Sequence, residues 1–180
     1  MQNQRLPIDN MEQRHEGLTT ALAEALKEAA RVCLDRHHIS PITVKIRHTD
    51  RETLADVEWK ATDDRTRGAW ANEIDTTEAG AYACVLAAVE LLDGLVAVIR
   101  AETETGADYY VAPSDASVDD FDEHIRLEVS GVDRGNDAAV RRRLREKVAQ
   151  LARADDEIPG IAGVVGFEEQ LILLENLETA

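Results

Sequence analysis

The sequence predicts an α+β fold in which a mixed β-sheet carries helices on its faces. Three observations lead to this class. Short runs alternate apolar with polar residues, as half-buried strands do, other segments repeat apolar residues with a helical period, and turn residues separate the two kinds of segment. From residue 76 onward the segments follow in the order helix, strand, strand, strand, helix, strand. This α-β-β-β-α-β order places helices around one mixed sheet.

An N-terminal helix and a β-hairpin precede this core. The helix is predicted from about residue 11 to residue 37, because apolar residues recur at every fourth position of one stripe. These residues are Leu18, Leu22, Leu26, Ala30 and Leu34. Asp9 or Asn10 is the expected cap. Segments 42–48 and 55–61 both alternate apolar with polar residues, which predicts an antiparallel hairpin whose loop lies between them.

The second helix opens the core. Residues 62–75 are polar and are expected to form the loop before it. The helix is predicted over 77–93, with a threonine of the Thr76-Thr77 pair as its cap and Glu78 in its first turn, where a carboxylate suits the helix dipole. The nearly continuous apolar run 95–101 is typical of a central strand that is covered on both faces.

The remaining elements complete the sheet. Strands are predicted at 107–112 and 125–131, on either side of an acidic loop, because the first run contains Tyr109, Tyr110 and Val111 and the second alternates apolar with polar residues. A third helix is predicted over 137–153, and a last strand over 161–167. A strand-helix-strand connection is right-handed and makes its two strands parallel, so this last strand should run parallel to 125–131. The pattern leaves the apolar segment 171–174 without an assignment.

Length and composition favour a single domain, 1–180, with residues 1–75 as an extension and 76–170 as the core. No apolar run approaches the roughly 18 residues that a membrane helix needs. The start of the chain is polar, and the two cysteines lie in helix-like apolar segments, so we expect reduced thiols and a cytoplasmic protein. Asp and Glu number 36 against 20 Lys and Arg, giving a net charge of −16. This acidity favours a salt-adapted or high-GC prokaryotic source, and it repels nucleic acid except at a local basic patch.

Two carboxylates stand out because strand pairing would bring them together. Asp108 opens one strand and Glu128 lies within the next. Alternate residues of a strand share a face, so Glu128 lies with Arg126 and Ser130 and away from the apolar side chains. Two converging carboxylates on a sheet are suited to a hard cation such as magnesium. The alternative is a surface hairpin with ordinary polar residues on its exposed face.

The order of these elements, with Gly-Ala-Asp108 at the start of the second strand and Leu-Glu128-Val-Ser130 in the third, resembles the PD-(D/E)XK nuclease superfamily over about residues 76–167. The resemblance implies a restriction-endonuclease-like core and hydrolysis of phosphodiester bonds. It also implies that Glu78, Asp108 and Glu128 bind magnesium or manganese.

One position departs from the family's pattern. The superfamily carries a lysine two residues after the strand glutamate, and here that position is Ser130. A serine cannot stabilise developing negative charge as a cation does. The following helix offers replacements, of which Lys147 is the main candidate and Arg143 the other, and Gln150 resembles the helix glutamine of the RecB-like branch. The expected catalytic set is therefore Asp108, Glu128 and Lys147.

The third helix also carries the densest basic patch of the chain, which consists of Arg141, Arg142, Arg143 and Arg145. Arginines opposite an apolar stripe are commonly the solvated face of a helix, and the functional alternative is a docking site for nucleic acid or an acidic partner. Two functions stay open. One is a metal-dependent nuclease, weakened or working with a partner. The other is a non-catalytic adaptor of the same fold that binds a protein partner or a second copy through this patch and the apolar segment 171–174.

Overall fold

The computed structural model describes residues 3–103, 105–116, 119–154 and 157–177, and within these ranges the strands form one mixed sheet. The strands are β1 (Gln4–Arg5), β2 (Ile42–His48), β3 (Arg51–Val57), β4 (Leu95–Arg100), β5 (Tyr109–Pro113), β6 (Ile125–Val132), β7 (Gly160–Gly166) and β8 (Leu171–Leu177). The helices are α1 (Thr20–Asp35), α2 (Asp64–Ala69), α3 (Glu73–Asp93) and α4 (Asp137–Arg153). The strand order across the sheet is β1-β3-β2-β8-β7-β6-β5-β4. The predicted α+β class and mixed sheet are confirmed.

The two faces of the sheet are covered by different helices. Helices α1 and α3 pack on one face in the larger apolar core, where Leu127, Ile161 and Val165 point. Helix α4 packs on the other face in a second cluster that includes Ala162 and Val164. Adjacent residues of β7 thus belong to opposite cores, as the period of a strand requires. The carboxylate cluster described below lies where β5 and β6 meet, between the helices of the two faces.

A glycine in β7 permits the close approach of α3. A Cβ atom at Gly163 would overlap the Val85 side chain and press on Leu174. We expect Gly163→Ala to lower the free energy of unfolding by about 1–3 kcal/mol, because overpacking a filled core forces side chains off their rotamers. Urea unfolding measures the change. Gly68→Ala is the matched control, since nothing lies within 4 Å of its added methyl group; equal stabilities of the two variants would contradict this view of the core.

The N-terminal helix is shorter than its apolar period suggested. Helix α1 begins at Thr20, and the side chain of Thr19, not Asp9 or Asn10, caps it by accepting a hydrogen bond from the Leu22 N–H at 3.2 Å. Residues Met11–Gln13 form a separate 3-10 turn. The predicted stripe also fails at Leu22, which is 38% exposed. The segment before α1 leaves the helix because it contacts β4.

The prediction of a central position for 95–101 was wrong, because β4 is an edge strand of the sheet. Its free edge is nevertheless covered. The ring Nδ1 of His15 accepts the Ala97 N–H at 2.9 Å, and the Gly17 N–H donates to the Ala97 carbonyl at 2.9 Å. The Nε2 of His15 lies 2.8 Å from a carboxylate oxygen of Glu90 on α3, which fixes the ring. A covered edge satisfies the same backbone groups as a neighbouring strand, so β4 can be as apolar as a central strand.

The predicted hairpin exists, but its register differs from the expected one. Strands β2 and β3 pair antiparallel from Ile42 opposite Val57 to His48 opposite Arg51. The turn therefore contains only Thr49 and Asp50, and the residues assigned to a loop belong to β3. Thr49 adopts a positive φ of 53°. A two-residue turn of this kind suits the twist of paired strands, so the polar side chains of β3 lie on a strand face.

The loop predicted over 62–75 contains α2 and the first residues of α3. Asn72 caps α3 by accepting from the Ile74 and Asp75 N–H groups, so the expected threonine cap is wrong. Thr76 is buried, and its hydroxyl donates to backbone carbonyls of the preceding turn instead. As a result Glu78 lies in the second turn of α3, one turn deeper than expected.

The second half of the chain follows the prediction closely. Helix α4 has the predicted bounds, β7 is parallel to β6, and the segment 171–174 belongs to β8, which is antiparallel to β7. Cys33 and Cys84 are free and buried, and burial raises the pKa of both thiols to about 12, so they stay protonated. No helix within the described ranges is long and apolar enough to cross a membrane.

Candidate functional site

Asp108 is fixed where β5 begins beside β6. Tyr109 is opposite Leu127 in the antiparallel pair, which places Asp108 next to Glu128. The Asp108 N–H donates to the Leu127 carbonyl at 2.8 Å, and one carboxylate oxygen of Asp108 accepts the Val129 N–H at 2.8 Å. Strand β6 continues past the start of β5, so this N–H has no partner in β5. The carboxylate of Asp108 replaces that partner and is thereby held in one orientation.

Glu128 lies beside Asp108 and is almost completely buried. Its side chain is 4% exposed and faces α4. Burial raises the pKa of Glu128, because a charged carboxylate loses its hydration, and Lys147 opposes this shift. The neighbouring Asp108 raises the pKa of Glu128 further, both through its charge and through a hydrogen bond to the protonated acid. The two carboxylates therefore converge, as strand pairing predicts.

Lys147 reaches Glu128 from α4. Its ammonium nitrogen lies 2.6 Å from Glu128 Oε1 and 3.2 Å from the side-chain oxygen of Gln150. The contact follows from helix geometry, since Lys147 comes three residues after Leu144 and four before Leu151, which are both buried against the sheet. Ser130 is on the same face of β6 as Glu128 and is half-buried. The cation beside Glu128 thus comes from α4 and not from position 130 of β6.

Glu78 is connected to the pair through a tyrosine. Tyr82 follows Glu78 by one helical turn, and its hydroxyl lies 3.2 Å from Glu78 Oε1 and 2.8 Å from Asp108 Oδ1. Burial raises the pKa of Tyr82, and the Asp108 charge adds to the shift while Arg100 opposes it. The phenol is therefore protonated at neutral pH and donates to one of these carboxylates. Glu78 itself is exposed, so it lies at the rim of the cluster.

The three acids do not form a preassembled cage. Within the part of the chain that the structure describes, no group of three or more His, Cys, Asp and Glu side chains is arranged to hold a metal ion. The reason is visible at Glu78, where the Tyr82 hydroxyl lies between this carboxylate and Asp108. The ligand set that the resemblance implies is thus reduced in this geometry to the adjacent carboxylates of Asp108 and Glu128.

Arg100 is a member of the cluster that the sequence did not reveal. It ends β4 directly opposite Tyr109, and its Nη2 lies 3.1 Å from the Tyr82 hydroxyl and 3.6 Å from Asp108 Oδ1. One sequence signal could have found it, since Arg100 is the only charged residue of the apolar strand that leads toward Asp108. The contact of Tyr82 with Glu78 could have been predicted, because residues four apart in a helix lie on the same face.

The basic patch of α4 does not join the carboxylates. Its four arginines are exposed. Arg141 forms an ion pair with Asp137 of the same helix, and Arg143 lies 3.2 Å from Glu146. Arg142 and Arg145 have no ion-pair partner among the described residues. The patch is a separate, solvated surface, and its role in binding stays a prediction.

A second polar cluster lies at another end of the sheet. His48 is buried between Asp93 Oδ2, at 2.9 Å, and Asn176 Oδ1, at 2.8 Å. Arg51 lies 2.6 Å from the other oxygen of Asp93. These residues line a cavity of about 600 Å³ with an apolar floor that includes Ile161. Each of the four side chains has a partner within this cluster, so we assign it a structural role at the ends of β2, α3 and β8.

The raised pKa of Glu128 predicts that the acid destabilises the fold at neutral pH. The folded state holds this proton more tightly than the unfolded chain, so wild-type stability falls as pH rises through the ordinary carboxyl value of 4.5 toward the raised value. Glu128→Gln cannot ionise and keeps an oxygen for Lys147. We expect the variant to be the more stable protein at neutral pH, with the difference shrinking in acid. Urea unfolding across this pH range is the measurement, and parallel curves for both proteins would contradict the prediction.

No protein-family model, curated protein or solved structure matches this chain. Its function therefore has to be inferred from the chemistry of the cluster. Two adjacent carboxylates, one of them buried, offer hard oxygen ligands, and a lysine and an arginine stand beside them. Such a combination can bind a divalent cation together with an anionic substrate. The carboxylates attract the metal ion, and the metal ion, the lysine and the arginine attract the substrate.

Proposed function

We propose that the chain is a PD-(D/E)XK-like, metal-dependent phosphodiesterase that acts on nucleic acid. The observation that carries this proposal is the contact of Lys147 with Glu128 at 2.6 Å, beside Asp108. It places a cation next to the carboxylate pair, although Ser130 occupies the strand position where the motif has its lysine. The order α3, β4, β5, β6, α4, β7, with these strands adjacent in that sequence, supports the same proposal.

The donor set fits magnesium or manganese. Magnesium is usually held by one or two carboxylates, while waters and substrate phosphates complete its shell. Asp108 and Glu128 meet that requirement without a third protein ligand, and Glu78 stands one hydroxyl away at the rim. A bound divalent cation would polarise the phosphate and lower the pKa of a coordinated water. It would also offset the charge of Asp108, which adds to the effect of burial in raising the pKa of Glu128.

Lys147 has two tasks in this proposal. In the free protein its charge partly compensates the buried Glu128. In the complex with substrate its ammonium group would lie against the phosphate and stabilise the negative charge that develops there. Gln150 Oε1 accepts a hydrogen bond from Lys147 Nζ, which helps to direct the flexible lysine side chain toward the pair. The Asp108 carboxylate, which is held by the Val129 N–H, faces the site from the start of β5.

The experiment that tests the proposal is a cleavage assay on labelled single- and double-stranded DNA and RNA. Manganese, magnesium and a chelator are compared in both low and molar salt, because the charge of −16 opposes nucleic-acid binding at low salt. Cleavage that requires the metal supports the proposal. Intact substrates under every condition would overturn it.

The second candidate is a non-catalytic adaptor of the same fold, and one observation favours it. Arg142 and Arg145 of α4 are exposed and lack an ion-pair partner among the described residues. Free guanidinium groups on one helix face suit an acidic partner. If this function is the right one, replacing Arg141, Arg142 and Arg145 with glutamate releases that partner in a pull-down, whereas Asp108→Ala retains it. Metal-dependent cleavage separates the two functions.

A further inference from the structure

Arg100 is held rigidly beside the carboxylate pair by two aromatic rings. Its guanidinium carbon lies 4.6 Å from the centroid of the Tyr82 ring and 4.7 Å from that of Tyr109. The two rings meet edge to face, with centroids 5.6 Å apart. Both tyrosines are buried, so their positions are fixed by the core. Stacking of this kind restricts an arginine before any ligand arrives, which lowers the entropy lost on binding.

The stacked guanidinium still has donors to offer. Its Nη2 lies 3.1 Å from the Tyr82 hydroxyl and 3.6 Å from Asp108 Oδ1. A guanidinium carries five N–H donors in a planar fork. The Arg100 side chain is 49% exposed, so part of that fork faces solvent at the mouth of the site. The contact with Asp108 is too long for a hydrogen bond, and an exposed ion pair of that length contributes little stability.

The cations of the cluster stand on opposite sides of the carboxylates. Arg100 comes from β4 and lies beside Asp108, whereas Lys147 comes from α4 and lies beside Glu128. The two cations offset the charges of the two carboxylates, so this cluster repels a polyanion less than the acidic chain as a whole does. Successive phosphates of a strand that crosses the site would meet a cation on each side. Arginine suits this task better than lysine, since its fork binds two phosphate oxygens at once.

We propose that Arg100 is a substrate-binding residue that holds a backbone phosphate of the nucleic-acid strand next to the bond that is cut. This inference rests on the proposed function. Arg100 then defines the path of the strand from the α4 side of the pair to the β4 edge. Lys147 contacts the reacting phosphate, and Arg100 contacts its neighbour.

The test measures binding apart from cleavage. A fluorescent single-stranded DNA oligonucleotide is titrated with wild type, Arg100→Ala and Arg100→Lys, in millimolar calcium and in chelator, at several salt concentrations. Arg5→Ala is the matched control, because Arg5 is an exposed arginine of β1 with a 60% exposed side chain and an ion pair to Asp9. Thermal unfolding of each protein reports folding.

We expect Arg100→Ala to weaken oligonucleotide binding by on the order of tenfold to a hundredfold, as for the loss of a charged hydrogen-bonding group. The slope of log affinity against log salt should fall by about one, which marks the loss of one phosphate contact. Arg100→Lys should recover the slope but only part of the affinity. Manganese should raise the melting temperature of Arg100→Ala at least as much as that of wild type, because the substitution removes a cation next to Asp108.

Three results would overturn the inference: wild type that does not bind the oligonucleotide, Arg100→Ala that binds like Arg5→Ala, or an unchanged salt slope. Failure of the proposed function looks different. In that case wild type cleaves no substrate in manganese. The role of Arg100 in binding is then judged only from the oligonucleotide affinity of Arg100→Ala. A loss of binding together with a collapse of the melting temperature in both Arg100 variants assigns a structural role and also overturns the inference.

Discussion

Asp108→Ala is expected to abolish metal-dependent cleavage and the stabilisation by metal together. Loss of a principal metal ligand removes several kcal/mol of transition-state stabilisation, or about a thousandfold or more in rate. The melting temperature of wild type should rise in millimolar manganese, because a ligand that binds only the folded state stabilises it by mass action. Asp108→Ala should show no such rise. Cleavage assays and thermal unfolding with and without manganese measure the two effects.

A control is needed because Asp108 also binds backbone. Its carboxylate accepts the Val129 N–H at 2.8 Å, so the alanine variant leaves that group without a partner. Asp108→Asn keeps an acceptor oxygen and removes the charge, and it should lose the metal effect while it retains the wild-type fold. Glu24→Gln, at an exposed residue of α1, should leave both effects unchanged. If manganese shifted the melting temperature of Asp108→Asn as much as that of wild type, the metal would bind elsewhere.

Lys147→Ala has the second largest expected effect, a loss of cleavage on the order of a hundredfold or more, since one group that stabilises transition-state charge is typically worth a few kcal/mol. The substitution removes the cation that lies 2.6 Å from Glu128. Burial then raises the pKa of Glu128 without opposition from Lys147. The loss should therefore grow as pH falls, because protonation of Glu128 removes one of the two proposed metal ligands. The pH profile of cleavage by wild type and variant measures both changes.

Ser130 offers a rescue of that variant. It follows Glu128 by two residues on the same face of β6, where the resemblance places the motif lysine. Ser130→Lys in the Lys147→Ala background should restore part of the lost activity. Arg145→Ala removes a charge from the exposed side of α4 and should leave cleavage of a short substrate near the wild-type rate. Full activity of Lys147→Ala, or an equal loss in Arg145→Ala, would show that Lys147 has no special role.

The sequence predicted the carboxylate pair because the positions of both residues depend only on the pairing of two neighbouring strands. Strand residues alternate between faces, so once two runs pair as neighbours, Asp108 and Glu128 meet at their shared end. The position of Lys147 could be predicted for a similar reason. It occupies the helical stripe of Leu144 and Leu151, and that stripe faces the sheet. In both cases a single period decides where the side chain points.

The errors came from contacts between distant parts of the chain. The nearly continuous apolar run 95–101 suggested a central strand, but the edge of β4 is covered by the segment of His15 and Gly17. No local sequence pattern indicates this contact. Arg100 was missed because its position depends on the register of β4 against β5, and on two tyrosines that come from different elements. The cap of α3 was missed because Asn72 and Thr76 both have capping side chains, and only the burial of Thr76 excludes it.

The most direct measurement is the position of a bound metal. Crystals of the protein grown with manganese, with data collected at the manganese absorption edge, locate the ion by its anomalous scattering. We expect one strong peak within coordination distance of both the Asp108 and Glu128 carboxylates, and its loss in Asp108→Asn. A peak at the His48–Asp93 cluster alone, or no peak at Asp108 and Glu128 in millimolar manganese, would contradict the assignment of this pair as the metal site of a nuclease.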